Sequence, residues 1–242
     1  MRLVVNADDF GMSSEKNIAI DAMMRGRVCT NASLVVNCPA TEEAVAMAFA
    51  GGYQDRLSLH LNLTEGESLG KKIREHALYY AEEGFAHRPI IKSAWQVQPL
   101  YIEAVRQEIE LQIRRFLSYG LSLHSLDSHN WVHLRTPVFL ALRPLLRKYR
   151  ISIVRPMWEG YKRPEIASAR WSRYFRKFDF FLQRCPQCRV FGWTGNIEQF
   201  LLARQRIEDG AYVEVFTHPA AVDGEIMDLS SSYCHNPRKK VV

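Results

Sequence analysis

Acidic residues and histidines recur where predicted β-strands end. The segment Asn6 to Gly11 (Asn-Ala-Asp-Asp-Phe-Gly) closes the first β-rich run, His60 and Asn62 the third, Asp127 to His129 the fourth, and Glu214 to His218 the last. Carboxylates and imidazoles bind catalytic metals and exchange protons near neutral pH. In a parallel sheet these ends lie at one edge, so the spacing predicts a single site there.

Asp9, His60 and His129 are the candidate metal ligands. Side chains alternate along a strand, which places Asp127 and His129 on one face, Ser58, His60 and Asn62 on another, and aligns Glu214 with His218. Two histidines and a carboxylate leave open positions for water and substrate. The same ligand types serve non-haem iron oxygenases, and any one residue can equally cap or hydrogen-bond locally.

The elements that must position these residues alternate between short β-rich runs and longer helical ones, a pattern typical of an α/β fold with parallel strands. The predicted strands are Leu3 to Ala7, Ala32 to Asn37, Leu57 to Leu63, Ser122 to Ser128, Ile151 to Arg155, Val190 to Trp193 and Tyr212 to Thr217. Helices are predicted from Ser13 or Ser14 to Gly26, after an N-cap at Thr41, from Pro99 to Tyr119, and after Pro137, Arg170 and Ile197. An open doubly wound sheet and a closed barrel both fit this alternation.

No repeat or Pro/Gly-rich linker divides the 242 residues, so we expect one domain spanning 1–242, with Thr64 to Ser93 as its longest excursion. The composition, 47% hydrophobic and 24% charged, is that of a globular protein. The formal net charge of +6 has a local source. Arg143 to Arg189 holds 13 basic and three acidic residues, a local +10, which leaves the remainder at −4.

Aromatic residues at helical spacing interleave with the arginines of this basic segment. A stripe facing the core or a dimer partner, with a solvated basic face, explains the pattern better than stacking on nucleic acid. A nucleic-acid binder is nevertheless a non-enzyme alternative.

No apolar run approaches the roughly 18 residues that span a bilayer, and the Asp pair at residue 8 leaves no room for a signal peptide. The five cysteines, at positions 29, 38, 185, 188 and 234, are odd in number and scattered. They are expected to be reduced thiols in a cytoplasmic protein, and Cys185 to Cys188 to be a loop rather than a zinc knuckle.

The rival enzyme reading is a serine esterase. Gly66 to Gly70 (Gly-Glu-Ser-Leu-Gly) matches a nucleophile elbow, and Ser68, Asp127 and His218 follow in the order of a catalytic triad. Thr64 and Glu65, however, separate this motif from the strand that should lead directly into it. A triad would also give no role to Asp8, Asp9, His60 and His129. The tripeptide Asp9 to Gly11 also spells a kinase motif, but it lies too near the start of the chain for the glycine-rich loop that must precede it.

Together these motifs resemble the YdjC-like carbohydrate deacetylases, which include chitooligosaccharide deacetylase. The resemblance rests on four landmarks in the family's order: Asn6 to Gly11, His60 to Gly66, Asp127 to His129 with His133, and Glu214 to Pro219. They cover nearly the whole chain. One departure is Trp131, which stands where the family has a further histidine.

The resemblance implies a distorted (β/α) barrel that removes acetyl groups from N-acetylated amino sugars, with one divalent ion, Mg²⁺ or Zn²⁺, on Asp9, His60 and His129. For that chemistry Asp8 is the candidate general base and His218 the candidate general acid. Glu214 is expected to orient the ring of His218, and Asp127 to fix the tautomer of a ligating histidine. Trp131, His133, Arg155 and Trp193 are the candidate substrate contacts. The expected partner is a small carbohydrate, without nucleic acid or membrane, and a homodimer is compatible with the resemblance.

Overall fold

The structure is a computed structural model that describes residues 1–75, 80–81, 84–85, 99–156 and 193–229. Within these ranges seven parallel strands form one sheet, and four short strands form two antiparallel hairpins. The sheet contains β1 (Arg2–Phe10), β2 (Asn31–Leu34), β3 (Leu57–Leu61), β6 (Ser125–Ser128), β7 (Ile153–Val154), β8 (Trp193–Asn196) and β9 (Tyr212–Thr217). The hairpins are β4 (Tyr80–Ala81) with β5 (Gly84–Phe85), and β10 (Pro219–Val222) with β11 (Glu225–Asp228). The strand order in the sheet is β7-β6-β3-β2-β1-β9-β8.

The described helices are α1 (Ser14–Arg25), α2 (Thr41–Gly51), α3 (Pro99–Ser118), α4 (Thr136–Lys148) and α5 (Ile197–Ala203). Short 3₁₀ turns lie at Gln54–Arg56, Lys72–Glu75, His129–Leu134 and Arg204–Arg206. Helix α1 begins as predicted, because the Ser13 side chain accepts a hydrogen bond from the Lys16 backbone N–H. The N-cap predicted at Thr41 is wrong by one residue, since Ala40 takes that position and Thr41 is the first helical residue.

The sheet is strongly curled. Arg155 directly follows β7, the first strand in the sheet order. Its guanidinium nevertheless reaches Asp8 in β1, the fifth strand, and Glu214 in β9, the sixth. A flat sheet with strands about 4.8 Å apart could not bring these groups together. The predicted α/β fold with a distorted barrel is confirmed: the parallel sheet curls into a half-barrel.

Alternation along β3 separates an apolar outer face from a polar inner one. Leu57, Leu59 and Leu61 belong to the buried apolar core beneath the helices, whereas Ser58 and His60 bond to polar groups of neighbouring strands. Helix α3 packs on the same core through one apolar face, on which Val105, Ile109, Ile113 and Phe116 are fully buried. Burial of each such side chain contributes roughly 1.5–3 kcal/mol. The polar groups therefore line the inside of the half-barrel.

Six of the seven predicted strands correspond to observed strands within a few residues, and β9 has its predicted bounds. The other predicted strand, Val190 to Trp193, was expected to end at Trp193, whereas β8 begins there within the described part of the chain. The helix predicted after Arg170, the Cys185 to Cys188 loop and most of the basic segment lie outside the described residues. None of the described helices is both long and apolar enough to cross a bilayer.

Candidate metal and proton-transfer site

A β-bulge turns two adjacent carboxylates into the half-barrel. Between Ala7 and Phe10 strand β1 advances three residues while β2 advances two, and Asp9 has the left-handed φ of 71°. Strict alternation would send Asp8 and Asp9 to opposite faces of the sheet. The extra residue re-aims one of them, so both face the interior. A left-handed φ at a non-glycine residue is a strained conformation that is common at functional sites.

The three predicted metal ligands meet at one point. Asp9 Oδ1 lies 3.2 Å from His60 Nε2 and 2.8 Å from His129 Nδ1. Their ligand atoms all fall within 4.8 Å of one another. His60 reaches this point from β3, and His129 is the first residue after β6. The side chain of Asp9 is 3% exposed and that of His60 is 1% exposed, so the point is shielded from water.

The protonation of this cluster follows from its contacts. Burial alone would raise the pKa of Asp9, but the hydrogen bond from His129 and the close approach of the His60 ring hold that pKa well below its ordinary value. Burial alone would lower the pKa of His60, whereas the Asp127 carboxylate, together with Asp9, raises it to about 10. Hydrogen bonds to Asp9 and Glu65 likewise raise the pKa of His129 against the effect of burial. These shifts favour protonated histidine rings beside an ionised Asp9 carboxylate.

The same residues form a candidate site for a divalent cation. His60 Nε2 is buried and makes no hydrogen bond of acceptable geometry, despite its 3.2 Å approach to Asp9. A buried polar atom without a partner is costly, and coordination would satisfy it. One carboxylate and two imidazoles are ligands that zinc and other divalent metals accept.

A second group of candidate ligands, Asp8, His60 and Asp127, lies beside the first. It already holds a cation, because Arg155 donates to Asp8 at 2.6 and 2.8 Å and lies 2.6 Å from Asp127. Arg155 also donates twice to Glu214, at 3.0 Å each. One guanidinium thus joins three buried carboxylates from three strands. This group is not a second metal site.

The excess of carboxylates over guanidinium shifts the ionisation of this group. Burial would lower the pKa of Arg155, but Asp127, Asp8 and Glu214 together keep it well above its ordinary value. Burial raises the pKa of Glu214 to about 7, even though Arg155 opposes the shift. Burial would also raise the pKa of Asp127, but Arg155 and His60 lower it, so Glu214 takes up a proton more readily than Asp127 does.

The sequence predicted substrate contacts for Arg155 and His133, and the structure gives both residues other positions. Arg155 is 2% exposed within its carboxylate cluster. His133 is completely buried; its Nε2–H donates to the Arg155 carbonyl at 2.9 Å, and its Nδ1 contacts the Ser128 hydroxyl. Burial lowers the pKa of His133 to about 4, which keeps the ring neutral. Both side chains are therefore buried among the polar groups that support the site.

His218 ends the polar cluster at its open side. Its Nε2 lies 3.6 Å from Asp8 Oδ2, and its side chain is 28% exposed. The hairpin that follows pins its backbone, because its N–H donates to Asp228 and its carbonyl accepts from Leu229. Glu214 was expected to orient this ring, but its carboxylate is bonded to Arg155.

Trp131 is partly exposed and packs edge-on against Phe216 at a centroid distance of 5.5 Å. Two consecutive left-handed residues, Asn130 and Trp131, kink the chain directly after His129. Trp193, the other predicted aromatic contact, is partly exposed and packs on Phe200.

The alternative triad is not assembled. The Ser68 hydroxyl donates to the Gly70 carbonyl and accepts from Arg74. Asp127 bonds to His60, Ser33 and Arg155. Nucleophile and carboxylate are therefore committed to other partners, which removes the basis of the serine esterase reading.

Sequence reasoning missed two polar contacts of the metal cluster. Glu65 Oε1 lies 3.0 Å from His129 Nε2, and Lys16 Nζ lies 2.7 Å from Asp9 Oδ2. Both residues lie in segments that the sequence analysis used for other predictions. Glu65 lies in the motif that follows β3, and Lys16 lies in the first turn of α1, where the sequence showed only a helix start.

The fold is a curled parallel α/β half-barrel, and the ends of its strands bring together a candidate metal-ligand set of one carboxylate and two histidines. Comparison with known families then places the chain: the model of the YdjC-like family matches residues 2–240, and the chain belongs to that family.

Individual relatives agree with this assignment. The chain is similar to proteins named carbohydrate deacetylase from Geobacillus stearothermophilus, with 31% identity over 96% of this chain and 84% of the relative, and from Brevibacillus brevis, with 29% identity over 96% and 86%. A solved structure from Enterococcus faecalis V583 shares the fold, with a TM-score of 0.67 and 24% identity over 92% of this chain and 82% of that one. Hydrolysis of an amide bond is the reaction class that the named relatives indicate.

Proposed function

We propose that this protein removes the acetyl group from N-acetylated amino sugars, acting as a metal-dependent N-deacetylase. The observation that carries the proposal is the convergence of two sets of groups at one point. Asp9, His60 and His129 form a metal-ligand set, and Asp8 and His218 face each other beside it at 3.6 Å. The names of the relatives direct this chemistry to a carbohydrate amide.

Asp9, His60 and His129 would hold one divalent ion, with Mg²⁺ and Zn²⁺ as the proposed metals. When bound, such an ion polarises the acetamide carbonyl and lowers the pKa of the attacking water, both of which a poor electrophile requires. Asp127 would support this role, because its Oδ1 accepts from His60 Nδ1 at 2.8 Å and so directs the other ring nitrogen toward Asp9.

Asp8 would act as the general base. Arg155 and the Asn6 amide hold its carboxylate, the latter at 2.7 Å from Oδ1. A base fixed on this side keeps its orientation toward the reacting water during turnover. Asp8 does not belong to the ligand set that contains its neighbour Asp9, so the two adjacent carboxylates have separate tasks.

His218 would protonate the departing amine. Its ring is partly exposed at the open side of the site, where a sugar can enter, and its Nε2 lies 3.6 Å from Asp8 Oδ2, so the candidate acid and the candidate base lie side by side. The exposed part of Trp131 would offer a flat apolar surface to a sugar ring. Trp131 has a left-handed backbone conformation and lies two residues after the candidate ligand His129.

Acetate release from N-acetylglucosamine oligomers tests the proposal. Activity should disappear on chelation and return with added Mg²⁺ or Zn²⁺. Asp8→Asn should keep the metal and lose turnover by roughly 10²–10⁴-fold, the usual contribution of a general base. Asp9→Asn should lose the metal itself. Glu67→Gln is the matched control, because it removes an exposed charge from the loop that follows β3; it should behave as wild type. A wild-type protein that binds no divalent ion and releases no acetate would refute the proposal.

A further inference from the structure

We propose that Glu65 is a positioning residue for His129: its carboxylate holds the Nε2 side of the ring, so that Nδ1 faces Asp9 and binds the metal. The inference rests on the proposed function, because it concerns the metal centre formed by Asp9, His60 and His129. It adds which nitrogen of His129 is the ligand and which residue selects it.

The first observation is that the two histidines have matched environments. Each has one ring nitrogen toward Asp9 Oδ1 and the other against a carboxylate. For His60 these are Nε2, at 3.2 Å from Asp9, and Nδ1, at 2.8 Å from Asp127. For His129 they are Nδ1, at 2.8 Å from Asp9, and Nε2, at 3.0 Å from Glu65. Glu65 is thus to His129 what Asp127 is to His60, with the ring nitrogens exchanged.

The second observation is which ring nitrogens face Asp9. Asp9 Oδ1 lies 2.8 Å from His129 Nδ1 and 3.2 Å from His60 Nε2, so these three atoms form the candidate ligand set. A metal bound through His129 Nε2 would instead have to displace the Glu65 carboxylate from that nitrogen. The arrangement therefore favours Nδ1.

The third observation is that the backbone carrying Glu65 is held from two sides. The Asn62 side chain accepts from the N–H groups of Thr64 and Glu65 and donates to the Glu65 carbonyl. Gln112 of α3 binds both the N–H and the carbonyl of Asn62. Across the gap, the Asn130 amide donates to the Thr64 hydroxyl at 3.1 Å. This network ties the Glu65 loop to the segment that carries His129.

The chemical consequence is a fixed tautomer. A carboxylate against Nε2 favours the proton on that nitrogen and leaves the lone pair of Nδ1 for a metal. Such outer contacts are worth about 10–100-fold in metal affinity. The Glu65 side chain is 39% exposed and that of Asp127 is 5% exposed. Solvent screens Glu65 more, so its effect should lie near the low end of that range.

Zn²⁺ titration of purified protein against a competing chelator tests the proposal. We expect Glu65→Ala to weaken Kd about tenfold. Glu65→Gln should weaken it less, because the amide oxygen can still accept from Nε2–H. Glu67→Ala, the same change two residues further along the chain, should leave Kd unaltered. Equal Kd values for Glu65→Ala and Glu67→Ala would overturn the proposal while leaving the metal centre intact. A wild-type chain that binds no Zn²⁺ would instead defeat the proposed function, and this inference with it.

Long-range ¹H–¹⁵N correlation spectra of the Zn²⁺-loaded protein give a readout that does not depend on affinity. The His129 ring is assigned through its covalent correlations to the His129 backbone, because replacement of this ligand would also remove the metal. The expected spectrum has the proton on Nε2. A proton on Nδ1 would overturn the proposal whatever the titrations show. Thermal unfolding of each variant separates a local effect on the ring from general damage to the loop.

Discussion

Asp8 and Arg155 are 147 residues apart in the sequence and form a bidentate ion pair, with N–O distances of 2.6 and 2.8 Å. The same guanidinium also binds Asp127 and Glu214. The candidate general base, the partner of His60 and a carboxylate of β9 therefore depend on one side chain.

Arg155→Met should lower the free energy of unfolding by about 3–5 kcal/mol, because it leaves several buried carboxylates without their cation. Urea denaturation measures the change. Arg143→Met, the same substitution at an exposed position of α4, should have little effect. Adding Glu214→Gln to Arg155→Met should restore part of the loss by removing one uncompensated charge. A single variant as stable as wild type would contradict this account.

Metal affinity should rise with pH. In the metal-free protein the pKa of His60 is raised to about 10, so an ion binding near pH 7 must displace a proton. Each displaced proton makes Kd fall about tenfold per pH unit until the pKa is passed. Calorimetric titrations between pH 6 and 9 check this slope. Asp127→Asn removes the main charge that raises the pKa of His60, so the slope should flatten at a lower pH in that variant. A Kd constant across this range would contradict the expected proton release.

Stability should fall in mild acid because of His133. Burial lowers its pKa from 6.5 to about 4 in the folded protein, so the unfolded chain binds more protons between these values. Stability contributed by the neutral ring is therefore fully present above pH 6.5 and is lost as pH falls toward 4, by roughly 3 kcal/mol in all.

Urea unfolding at pH 5 and pH 7 tests this expectation in the wild type and in His133→Asn. The variant should be less stable at pH 7, because it loses the bond to the Arg155 carbonyl, and should have a smaller difference between the two pH values. An equal pH dependence in both proteins would assign the acid sensitivity to other groups.

Lys16 should set how Asp9 binds a metal. Its ammonium lies 2.7 Å from Asp9 Oδ2, which leaves Oδ1 for the ligand set. Lys16→Met removes a positive charge beside the metal and frees Oδ2. We expect metal affinity to rise roughly 2–5-fold, the scale of a partly exposed ion pair. Turnover should fall, because a second carboxylate oxygen then competes for a position that substrate needs.

Zn²⁺ titration and acetate release, measured on the same preparation, separate the two effects of Lys16→Met. Lys71→Met, at an exposed position after the β3 loop, is the control. Loss of both affinity and activity in Lys16→Met would indicate a merely structural role for Lys16.

Much of the fold could be predicted from local patterns. Short β-rich runs located most of the strands, and a longer helical run from Pro99 to Tyr119 located α3. These signals depend on residues a few positions apart, which is why they can be read from one sequence. The polar strand ends located the candidate ligands for the same reason, since parallel strands bring their carboxyl ends to one edge.

Contacts between distant strands could not be predicted in this way. Alternation alone puts Asp8 and Asp9 on opposite faces, and only the bulge at Asp9 places both inside. Arg155 and His133 were expected to contact substrate, and nothing in their spacing revealed that a curled sheet would bury them.

The sequence by itself determined an α/β chain with its carboxylates and histidines at the ends of parallel strands, because periodicity and order along the chain encode those features. The tertiary structure alone decided which groups touch: Arg155 with three carboxylates, Glu65 with His129 and Lys16 with Asp9. Such contacts depend on how far the sheet curls and where its loops are pinned. Those are properties of the packed molecule, and no short segment contains them.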